Sequence, residues 1–191
     1  MPGQRRAKGQ NLRVIGGRWR GRRLAFPAVE GLRPTPDRVR ETLFNWLRPT
    51  LAGARCLDLY AGTGALGIEA LSQGAGRCTF VERDPVIARA LAANLELLGA
   101  TDFELLRTDA ALALDRRGDL FDMVFLDPPF NRGLIPTQLA ELRASDRLAD
   151  GALVYVEAEK TQTVDGAPGW RVLRGGTAGQ VGFHLLEMDP S

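Results

Sequence analysis

The chain has 191 residues, of which 45% are hydrophobic and 25% are charged, and this balance is ordinary for one well-packed globular domain. No run of about 18 or more apolar residues is present to cross a membrane, and no apolar signal core follows Met1. We therefore expect a cytoplasmic protein that makes no use of a membrane.

The residues that build disulfides, metal sites and histidine triads are scarce. The only two cysteines, Cys56 and Cys78, lie in apolar runs that are typical of buried strands. We therefore expect neither a disulfide framework nor a metal site. The single histidine, His184, also lies in a strand-like run, which argues against a histidine-based catalytic triad.

The basic residues are concentrated at the N-terminus. Eight of the 25 basic residues and none of the 23 acidic residues lie in the first 29 positions. Such an arm attracts a phosphate backbone, because each neutralised phosphate releases condensed counterions. We expect contact with nucleic acid, although a solvated, disordered tail has the same composition. The basic residues of the arm are Arg5, Arg6, Lys8, Arg13, Arg18, Arg20, Arg22 and Arg23.

The first predicted elements are two short extended segments, residues 12–15 and 22–26, separated by a glycine-containing stretch. They predict an N-terminal β-hairpin that presents arginines. A helix over residues 36–47 follows, because apolar side chains recur along one stripe. Pro36 suits its first turn, and Thr35 is predicted to cap it.

From residue 55 onward, short apolar strands alternate with amphipathic helices, a pattern that is typical of a parallel sheet covered on both faces. A terminal antiparallel hairpin, with Gly175 and Gly176 assigned to its turn, completes a mostly parallel seven-stranded α/β sheet. We divide the chain into a basic arm with its hairpin (residues 1–35) and a main domain (residues 36–191). The predicted strands are residues 55–60, 77–82, 103–107, 121–126, 152–157, 170–174 and 181–187, and the predicted helices are residues 65–73, 85–98, 110–115 and 135–147.

A glycine-rich turn follows the first strand of this sheet. Gly62, Gly64 and Gly67 form the pattern G-x-G-x-x-G at the start of a helix, and Glu82 closes the next strand 20 residues after Gly62. Dinucleotide-binding proteins share this pattern. By itself, it predicts only that an adenosine-bearing cofactor approaches the backbone, with Glu82 accepting hydrogen bonds from ribose hydroxyls.

Asp58 distinguishes between the two classes of cofactor. It ends the strand four residues before Gly62, where its carboxylate would repel a pyrophosphate but attract a cationic amino-acid head. S-adenosyl-L-methionine has no phosphate and carries an ammonium and a sulfonium group. The run from Asp58 to Gly64 resembles motif I of the Rossmann-like methyltransferases, so we expect S-adenosyl-L-methionine as the cofactor.

This resemblance implies roles for the acidic residues at the next two strand ends. Glu82 would hold the ribose, and Asp109 would accept a hydrogen bond from the adenine amine. The neighbouring residues Ala61, Arg83 and Ala110 complete the predicted cofactor pocket. Alternatively, these acids are simple strand-end residues and Asp109 is the cap of a short helix. Three acids at successive strand ends around one glycine turn favour the cofactor site.

The most specific chemical motif follows the strand over residues 121–126. Asp127, Pro128, Pro129 and Phe130 resemble the (Asp/Asn)-Pro-Pro-(Tyr/Phe) signature of enzymes that methylate planar amines. Two prolines cannot continue a strand, so they rigidify the turn and leave carbonyl acceptors without amide donors beside them. A rigid turn with a core phenylalanine is the alternative.

These residues suit transfer to an exocyclic amine. Asp127 and a carbonyl of the Pro128 and Pro129 pair would accept the two amine hydrogens, which favours a pyramidal and more nucleophilic nitrogen. Phe130 would stack on the base, an interaction worth about 1–3 kcal/mol. We predict Asp127 as the main catalytic acceptor.

Over nearly its full length, the chain resembles the RsmD family of bacterial 16S rRNA guanine-N2 methyltransferases. The matching blocks are residues 13–17 with Gly21, Arg22 and Leu24 and, most specifically, residues 31–45. In the family, the last block lies beside the cofactor and the target base. A capped helix with an i,i+3 ion pair between Arg38 and Glu41 is the local alternative. The resemblance implies substrate contacts within the block for Arg33, Thr35, Arg38, Glu41 or Asn45.

The resemblance further implies a bacterial cytoplasmic enzyme with a Rossmann-like class I methyltransferase fold. Its partner would be ribosomal RNA, within a partly assembled small subunit, and we expect a monomer. The hairpin arginines are included among the predicted substrate contacts. They are Arg18, Arg20, Arg22 and Arg23.

Four other functions remain open on the residues alone. An adenine-N6 methyltransferase on DNA or RNA would use the same turn, because the Asp-Pro-Pro-Phe motif recognises a planar amine and does not name the base. Methylation of a protein glutamine would not need the cationic arm. A nicotinamide oxidoreductase is disfavoured by Asp58 and the proline turn. A non-catalytic RNA-binding assembly factor would not need Asp127 and Phe130.

Overall fold

The computed structural model describes residues 10–129, 133–162, 164 and 166–189. Its centre is a seven-stranded sheet flanked by helices, and a two-stranded hairpin precedes this sheet. The strands are β1 (Gln10–Arg13), β2 (Arg23–Phe26), β3 (Arg55–Asp58), β4 (Arg77–Val81), β5 (Phe103–Leu106), β6 (Phe121–Leu126), β7 (Leu148–Glu159), β8 (Trp170–Ala178) and β9 (Val181–Met188). The α-helices are α1 (Asp37–Leu47), α2 (Ala65–Ser72), α3 (Pro85–Leu97), α4 (Ala110–Leu114) and α5 (Ile135–Ala144), and a 3-10 helix (Gly17–Trp19) lies between β1 and β2.

The sheet has five parallel strands in the order β5-β4-β3-β6-β7, and β9 and β8 extend it with antiparallel pairing. This confirms the predicted mostly parallel seven-stranded α/β fold. The central strand β6 is buried along nearly its whole length. It therefore appears in the sequence as a continuous apolar run, without the alternation of a half-exposed strand.

The turn of the terminal hairpin is not where the sequence predicted it. Gly175 and Gly176 lie inside β8 and pair with β9. A Cβ atom at Gly176 would approach Cζ of Phe183 to 2.5 Å, so this glycine makes room for a neighbouring ring. The chain turns instead at Gly179, whose φ of 62° lies in the left-handed region that favours glycine.

Helices cover both faces of the sheet. Helices α1, α2 and α3 pack on one face, in a cluster that includes Phe80, Phe125 and Tyr155. Helices α4 and α5 pack on the other face around Val124 and Val156. None of the helices in the described part of the chain combines the length and apolar character needed to cross a membrane.

The N-terminal hairpin rests on the same core as the sheet. Its side chains Leu12, Trp19 and Leu24 are buried in the cluster beneath α1, α2 and α3. The Asn94 side-chain amide of α3 donates to the Ala25 carbonyl over 2.9 Å. Residues 10–26 are therefore not a solvated tail, whereas Arg5, Arg6 and Lys8 lie outside the described residues.

Two predicted helix ends are wrong. The N-cap of α1 is Pro36, and no side chain caps this helix. The Thr35 hydroxyl instead donates to a buried carboxylate, Glu157, on β7. Helix α5 ends at Ala144, and Asp146 follows it with a φ of 50°, a conformation that cannot continue a right-handed helix.

Candidate active site

The carboxyl ends of β3, β4, β6 and β7 bring four acidic residues to one edge of the sheet. Asp58 ends β3, Glu82 follows β4, Asp127 follows β6 and Glu157 lies near the end of β7. Strands β3 and β6 are neighbours, with Asp58 paired to Phe125, so the turns that follow them lie side by side. Ligands of open α/β sheets bind in the crevice at this edge.

The glycine turn after β3 is held by Glu82. Its Oε2 accepts a hydrogen bond from the Gly62 amide at 3.0 Å, and its Oε1 accepts one from the Asp84 amide at 2.7 Å. Each carboxylate oxygen can accept a second hydrogen bond. Glu82 can therefore hold the turn and a ribose hydroxyl together.

The three glycines of the G-x-G-x-x-G pattern have different roles. Gly62 and Gly64 have φ angles of 50° and 78°, which bend the backbone away from β3. Gly67 lies inside α2, where a Cβ atom would approach a ring carbon of Phe80 to 2.2 Å. Gly67 therefore serves the close packing of α2 on β4 and does not line the turn.

Asp58 is buried behind the glycine turn. Its Oδ2 accepts a hydrogen bond from the Gly67 amide at 3.0 Å, and its exposed fraction is 2%. Burial raises the pKa of Asp58 to about 7; the Gly67 hydrogen bond opposes this shift, and the carboxylates of Glu82 and Glu157 add to it. A cationic ligand would favour the charged form of this acid.

We expect Asp58→Asn to stabilise the ligand-free protein above pH ~7 by up to about 4 kcal/mol, and to change its stability little near pH ~4. The folded-state pKa of about 7 exceeds the ordinary value of 3.8, so the folded protein retains a proton that the unfolded chain releases. The resulting stabilisation is complete below the unfolded pKa and is lost as the pH rises through the folded pKa.

Asparagine does not titrate, and its side-chain oxygen can still accept the Gly67 amide hydrogen bond. The measurement is denaturant unfolding of the wild type and the variant across this pH range. A difference in unfolding free energy that does not change with pH would contradict the assignment of a raised pKa to Asp58.

The predicted adenine-binding residues lie at the rim of the same edge. Ala61 and Ala110 are buried, while Arg83 and Asp109 are exposed and form an ion pair of 3.6 Å. Asp109 occupies the N-cap position of α4, but its side chain makes no capping hydrogen bond. The alternative reading of Asp109 as a helix cap therefore does not describe its side chain.

The turn after β6 presents Asp127 at the crevice. Asp127 is half-buried, Pro128 is buried and Pro129 is exposed, whereas the predicted stacking residue Phe130 lies outside the described residues. Burial raises the pKa of Asp127 well above its ordinary value, and the nearby carboxylates of Glu157 and Asp58 raise it further. This turn therefore offers a poorly solvated acceptor beside the glycine turn.

Glu157 is the acidic residue that sequence analysis missed. Its Oε1 accepts hydrogen bonds from the Thr35 hydroxyl at 2.6 Å and from the Tyr155 hydroxyl at 3.1 Å. Burial raises the pKa of Glu157, whereas these two hydroxyls and the charge of Arg40 lower it. The signal was present, because Glu157 ends a predicted strand as Glu82 does.

The segment before α1 reaches the site through Leu32 and Thr35. Leu32 Cδ1 lies 3.2 Å from the position of a Cβ atom at Gly62, so its side chain covers the glycine turn. Arg33, Arg38 and Asn45 are exposed, and Asn45 accepts a hydrogen bond from Arg48. The structure brings Thr35 to the buried carboxylate and leaves the other predicted substrate contacts at the surface.

The buried arginine of this segment is Arg40, which sequence analysis did not single out. Its exposed fraction is 1%, and it donates to the Thr35 carbonyl at 3.1 Å and to Glu69 at 3.0 Å. It also pairs with Asp37 at 2.7 Å, which is an i,i+3 pair like the one predicted for Arg38 and Glu41. The structure shows no hydrogen bond or ion pair between Arg38 and Glu41.

The hairpin arginines lie on the surface. Arg18, Arg20, Arg22 and Arg23 are all exposed, and the Arg18 guanidinium lies 4.1 Å from the ring centre of Trp19. Arg22 also donates to a backbone carbonyl at the end of α3. These side chains form a cationic surface that a phosphate backbone can reach.

The carboxyl edge fits a cationic cofactor with a ribose. Five acidic residues supply acceptors there, and one of them, Asp109, is paired with Arg83. The five are Asp58, Glu82, Asp109, Asp127 and Glu157. A pyrophosphate would meet uncompensated negative charge at this edge. Within the described ranges, no three metal-ligating side chains come together to hold an ion.

A cavity of about 160 Å³ lies at the opposite, amino-terminal edge of the sheet. Several of the arginines that line it are paired with neighbouring acids. Arg55 pairs with Asp122 at 3.1 Å, and Arg116 pairs with Glu104 at 3.5 Å. We therefore place the candidate active site at the carboxyl edge.

Comparisons with known proteins show which proteins this chain is similar to. A family model described as Conserved hypothetical protein 95 matches residues 12–187. The chain is 45% identical over 179 residues to the ribosomal RNA small subunit methyltransferase D of Escherichia coli strain K12, which covers 93% of this chain and 90% of that protein. It is 41% identical to the solved structure of the Escherichia coli protein yhhF, with a TM-score of 0.87 and coverage of 95% of this chain and 100% of that one.

A more distant solved structure is the Thermus thermophilus 16S rRNA N2 G1207 methyltransferase (RsmC) in complex with AdoMet and guanosine. It has a TM-score of 0.73 at 21% identity and covers 96% of this chain and 50% of that chain, so the likeness shows a shared fold alone. The predicted Rossmann-like methyltransferase fold is confirmed. The family model spans nearly all of the described residues, and the match to the Escherichia coli relative extends over 90% of that protein. The chain therefore belongs to the RsmD family.

Proposed function

We propose that this protein transfers a methyl group from S-adenosyl-L-methionine to the exocyclic N2 amine of a guanine in small-subunit ribosomal RNA. The observation that carries the proposal is the adjacency of the glycine turn and the Asp127 turn at one edge of the sheet. The relative named ribosomal RNA small subunit methyltransferase D supports the RNA target. An adenine-N6 target is the alternative.

Different residues of this chain bind the cofactor and the target amine. Glu82 and Asp109 hold the ribose and adenine of the cofactor, and Asp58 attracts its cationic end. When bound there, S-adenosyl-L-methionine supplies an electrophilic methyl group. Asp127 and a backbone carbonyl of the proline turn accept the two amine hydrogens, which directs the nitrogen lone pair toward that methyl group.

The choice of guanine over adenine rests on the family. The Asp127 turn recognises an exocyclic amine and would serve either base. The guanosine bound to the Thermus thermophilus relative of the same fold supports a guanine in the crevice. We further propose that the protein acts as a cytoplasmic monomer on a partly assembled small subunit, with the hairpin, residues 10–26, as an RNA-contacting part.

We expect replacement of Arg18, Arg20, Arg22 and Arg23 by glutamine to weaken RNA binding and to flatten its dependence on salt. Each lost phosphate contact should reduce the slope of log K against log salt by roughly 0.7 for single-stranded RNA. The measurement is RNA affinity by fluorescence anisotropy at several salt concentrations. Affinity for S-adenosyl-L-methionine should stay unchanged, because these side chains lie on the hairpin surface.

An equal loss of cofactor affinity in the four-site variant would contradict the RNA role and indicate a structural one. A matched control is Arg171→Gln. Arg171 is an exposed arginine on β8 that pairs with Glu187, outside the hairpin. Its replacement should leave the salt slope of RNA binding unchanged.

Nucleoside analysis tests the proposed function in cells. Mass spectrometry of small-subunit RNA from cells lacking this gene should show the loss of N2-methylguanosine, and the gene restored in trans should recover it. Loss of N6-methyladenosine instead would support the alternative base. An unchanged nucleoside profile would reject methylation of ribosomal RNA.

A further inference from the structure

Asp127 and Glu157 are neighbours across two parallel strands. β6 and β7 pair with Phe125 beside Tyr155 and Leu126 beside Val156, so Asp127 and Glu157 occupy the next position in the same register. Adjacent strands lie about 4.8 Å apart. The two carboxyl groups therefore leave neighbouring backbones at the same edge.

The two carboxylates also leave the same face of the sheet. Side chains of alternate residues point to one face, which places Asp127 with Phe125 and Glu157 with Tyr155. The rings of Phe125 and Tyr155 meet edge to face, with centres 6.5 Å apart. Asp127 and Glu157 therefore extend this buried row by one step, toward the crevice.

Glu157 is fixed and Asp127 is the group at the crevice. Both the Thr35 and the Tyr155 hydroxyls donate to Oε1 of Glu157, whose exposed fraction is 3%. Arg40 donates to the Thr35 carbonyl, which holds the loop that carries this hydroxyl. Asp127, in contrast, is half-buried at the start of the proline turn.

We propose that Glu157 is a positioning residue that acts through Asp127: anchored by Thr35 and Tyr155, it makes Asp127 the group that receives the proton lost by the target amine. This inference rests on the proposed function. The amine nitrogen supplies the electron pair of the new N–C bond, and the electron pair of the broken S–C bond remains on sulfur. One N–H proton passes to the Asp127 carboxylate, so charge and atoms balance.

The physical reason is repulsion between like charges. A carboxylate beside a second buried carboxylate binds a proton more readily than one in water, and a proton acceptor works best when its pKa lies near the working pH. The burial and the neighbouring charges of Asp127 agree with this direction. The charged or titratable groups that act on the pair are Asp58 from β3, Tyr155 from β7 and Arg40 from α1.

A purely structural role predicts different behaviour. If Glu157 only tied the loop before α1 to the sheet, its removal would lower stability and change KM or kcat without moving the pH profile. If it acts through Asp127, its neutralisation must lower the pKa of Asp127. The acidic limb of the rate profile then moves to lower pH.

The test is Glu157→Gln, a replacement of the same size that retains an acceptor for Thr35. Single-turnover methyl transfer to small-subunit RNA is measured as a function of pH. We expect the acidic limb to move down by about one pH unit or more and the plateau rate to fall about tenfold or more. Glu159→Gln, a matched change two residues further along β7, should leave the profile unchanged.

A second measurement does not depend on activity. Thermal unfolding of the cofactor-free wild type is followed against pH, together with Glu157→Gln, Asp127→Asn and the double variant. The raised pKa of each acid means that stability is lost as the pH rises, so each single change should reduce this loss. The two effects should be non-additive, because each change removes the other acid's charged neighbour.

Thr35 offers a test of the anchor. Thr35→Val should lower kcat about tenfold with KM for RNA unchanged, because it removes the hydroxyl that fixes Glu157. Thr35→Ser should restore kcat, because it returns the hydroxyl. A Thr35→Val variant that changes KM and spares kcat would assign Thr35 to RNA binding and overturn the anchor.

Two outcomes overturn the inference about Glu157: an unmoved acidic limb in a folded and active Glu157→Gln variant, or additive effects on unfolding. These results differ from a failure of the proposed function, in which the wild type itself transfers no methyl group to guanine. In that case, the unfolding measurement still decides whether the two acids are coupled.

Discussion

Asp127→Ala is expected to lower methyl-transfer turnover by about 100- to 10,000-fold, the range of a positioned proton acceptor. The variant loses the carboxylate that we propose accepts an amine hydrogen and the proton released during transfer. The backbone carbonyls of the proline turn remain, because Pro128 and Pro129 are unchanged. The measurement is single-turnover methyl transfer with saturating cofactor and RNA.

Cofactor binding separates loss of chemistry from loss of fold in this variant. Affinity for S-adenosyl-L-methionine by calorimetry should stay within about twofold, because we propose that Asp58, Glu82 and Asp109 hold the cofactor. Asp122→Ala is a matched control. Asp122 lies near the other end of β6, where it pairs with Arg55, so turnover should be retained. Retained turnover in Asp127→Ala would contradict its catalytic role.

Arg40→Met is expected to destabilise the protein by about 3–5 kcal/mol, because it leaves the buried charge of Glu69 without its ion partner. Both side chains are 1% exposed, and their atoms are 3.0 Å apart. The loss should also loosen the hairpin, since Arg40 donates to the Arg13 carbonyl at 2.9 Å. The measurement is the free energy of unfolding in denaturant.

A second substitution tests whether the unpaired charge is the cause. Glu69 also accepts the backbone amides of Ile15 and Gly16, at 2.9 and 2.7 Å. Arg40→Met combined with Glu69→Gln should cost less than the sum of the two single changes, because the double variant buries no unpaired charge. Arg38→Met, an exposed position on the same helix, should change stability by less than about 0.5 kcal/mol. Additive losses would contradict a direct ion pair.

The fold was predictable wherever burial leaves a recognisable pattern of apolar residues in the sequence. Apolar runs such as residues 121–126 identified the strands of the parallel sheet, because these strands are covered on both faces. Helix α3 begins at Pro85 as predicted, and the Asp84 side chain caps it by accepting two backbone hydrogen bonds. The turn of the last hairpin was missed, because the sequence does not distinguish Gly176, which makes room for the Phe183 ring, from Gly179, which turns the chain.

The candidate site was predictable where a motif is local in sequence. Asp58, Gly62 and Asp127 lie in short runs whose spacing indicates their positions at strand ends. The contact between Thr35 and Glu157 joins residues 122 positions apart, and no local pattern encodes it. For the same reason, a capping role was assigned to Thr35, although its hydroxyl reaches across to β7.

Arg40 shows a further limit of sequence reasoning. A charged residue on a helix is ordinarily solvated, so nothing local in the sequence marks Arg40 as buried. Arg40 is buried because Glu69 on α2 and the carbonyls of Arg13 and Thr35 satisfy its donors together. Only the packing of the hairpin, α1 and α2 on one another brings these four groups to one place.

Methyl transfer to a guanine amine is tested most directly by an in vitro reaction of the purified protein. S-adenosyl-L-methionine with a deuterated methyl group is incubated with small-subunit particles from cells lacking the gene, and the RNA is digested to nucleosides. Mass spectrometry should find the label in N2-methylguanosine, and the Asp127→Ala variant should not produce it. Label in N6-methyladenosine, or no label in any nucleoside, would contradict methyl transfer to guanine.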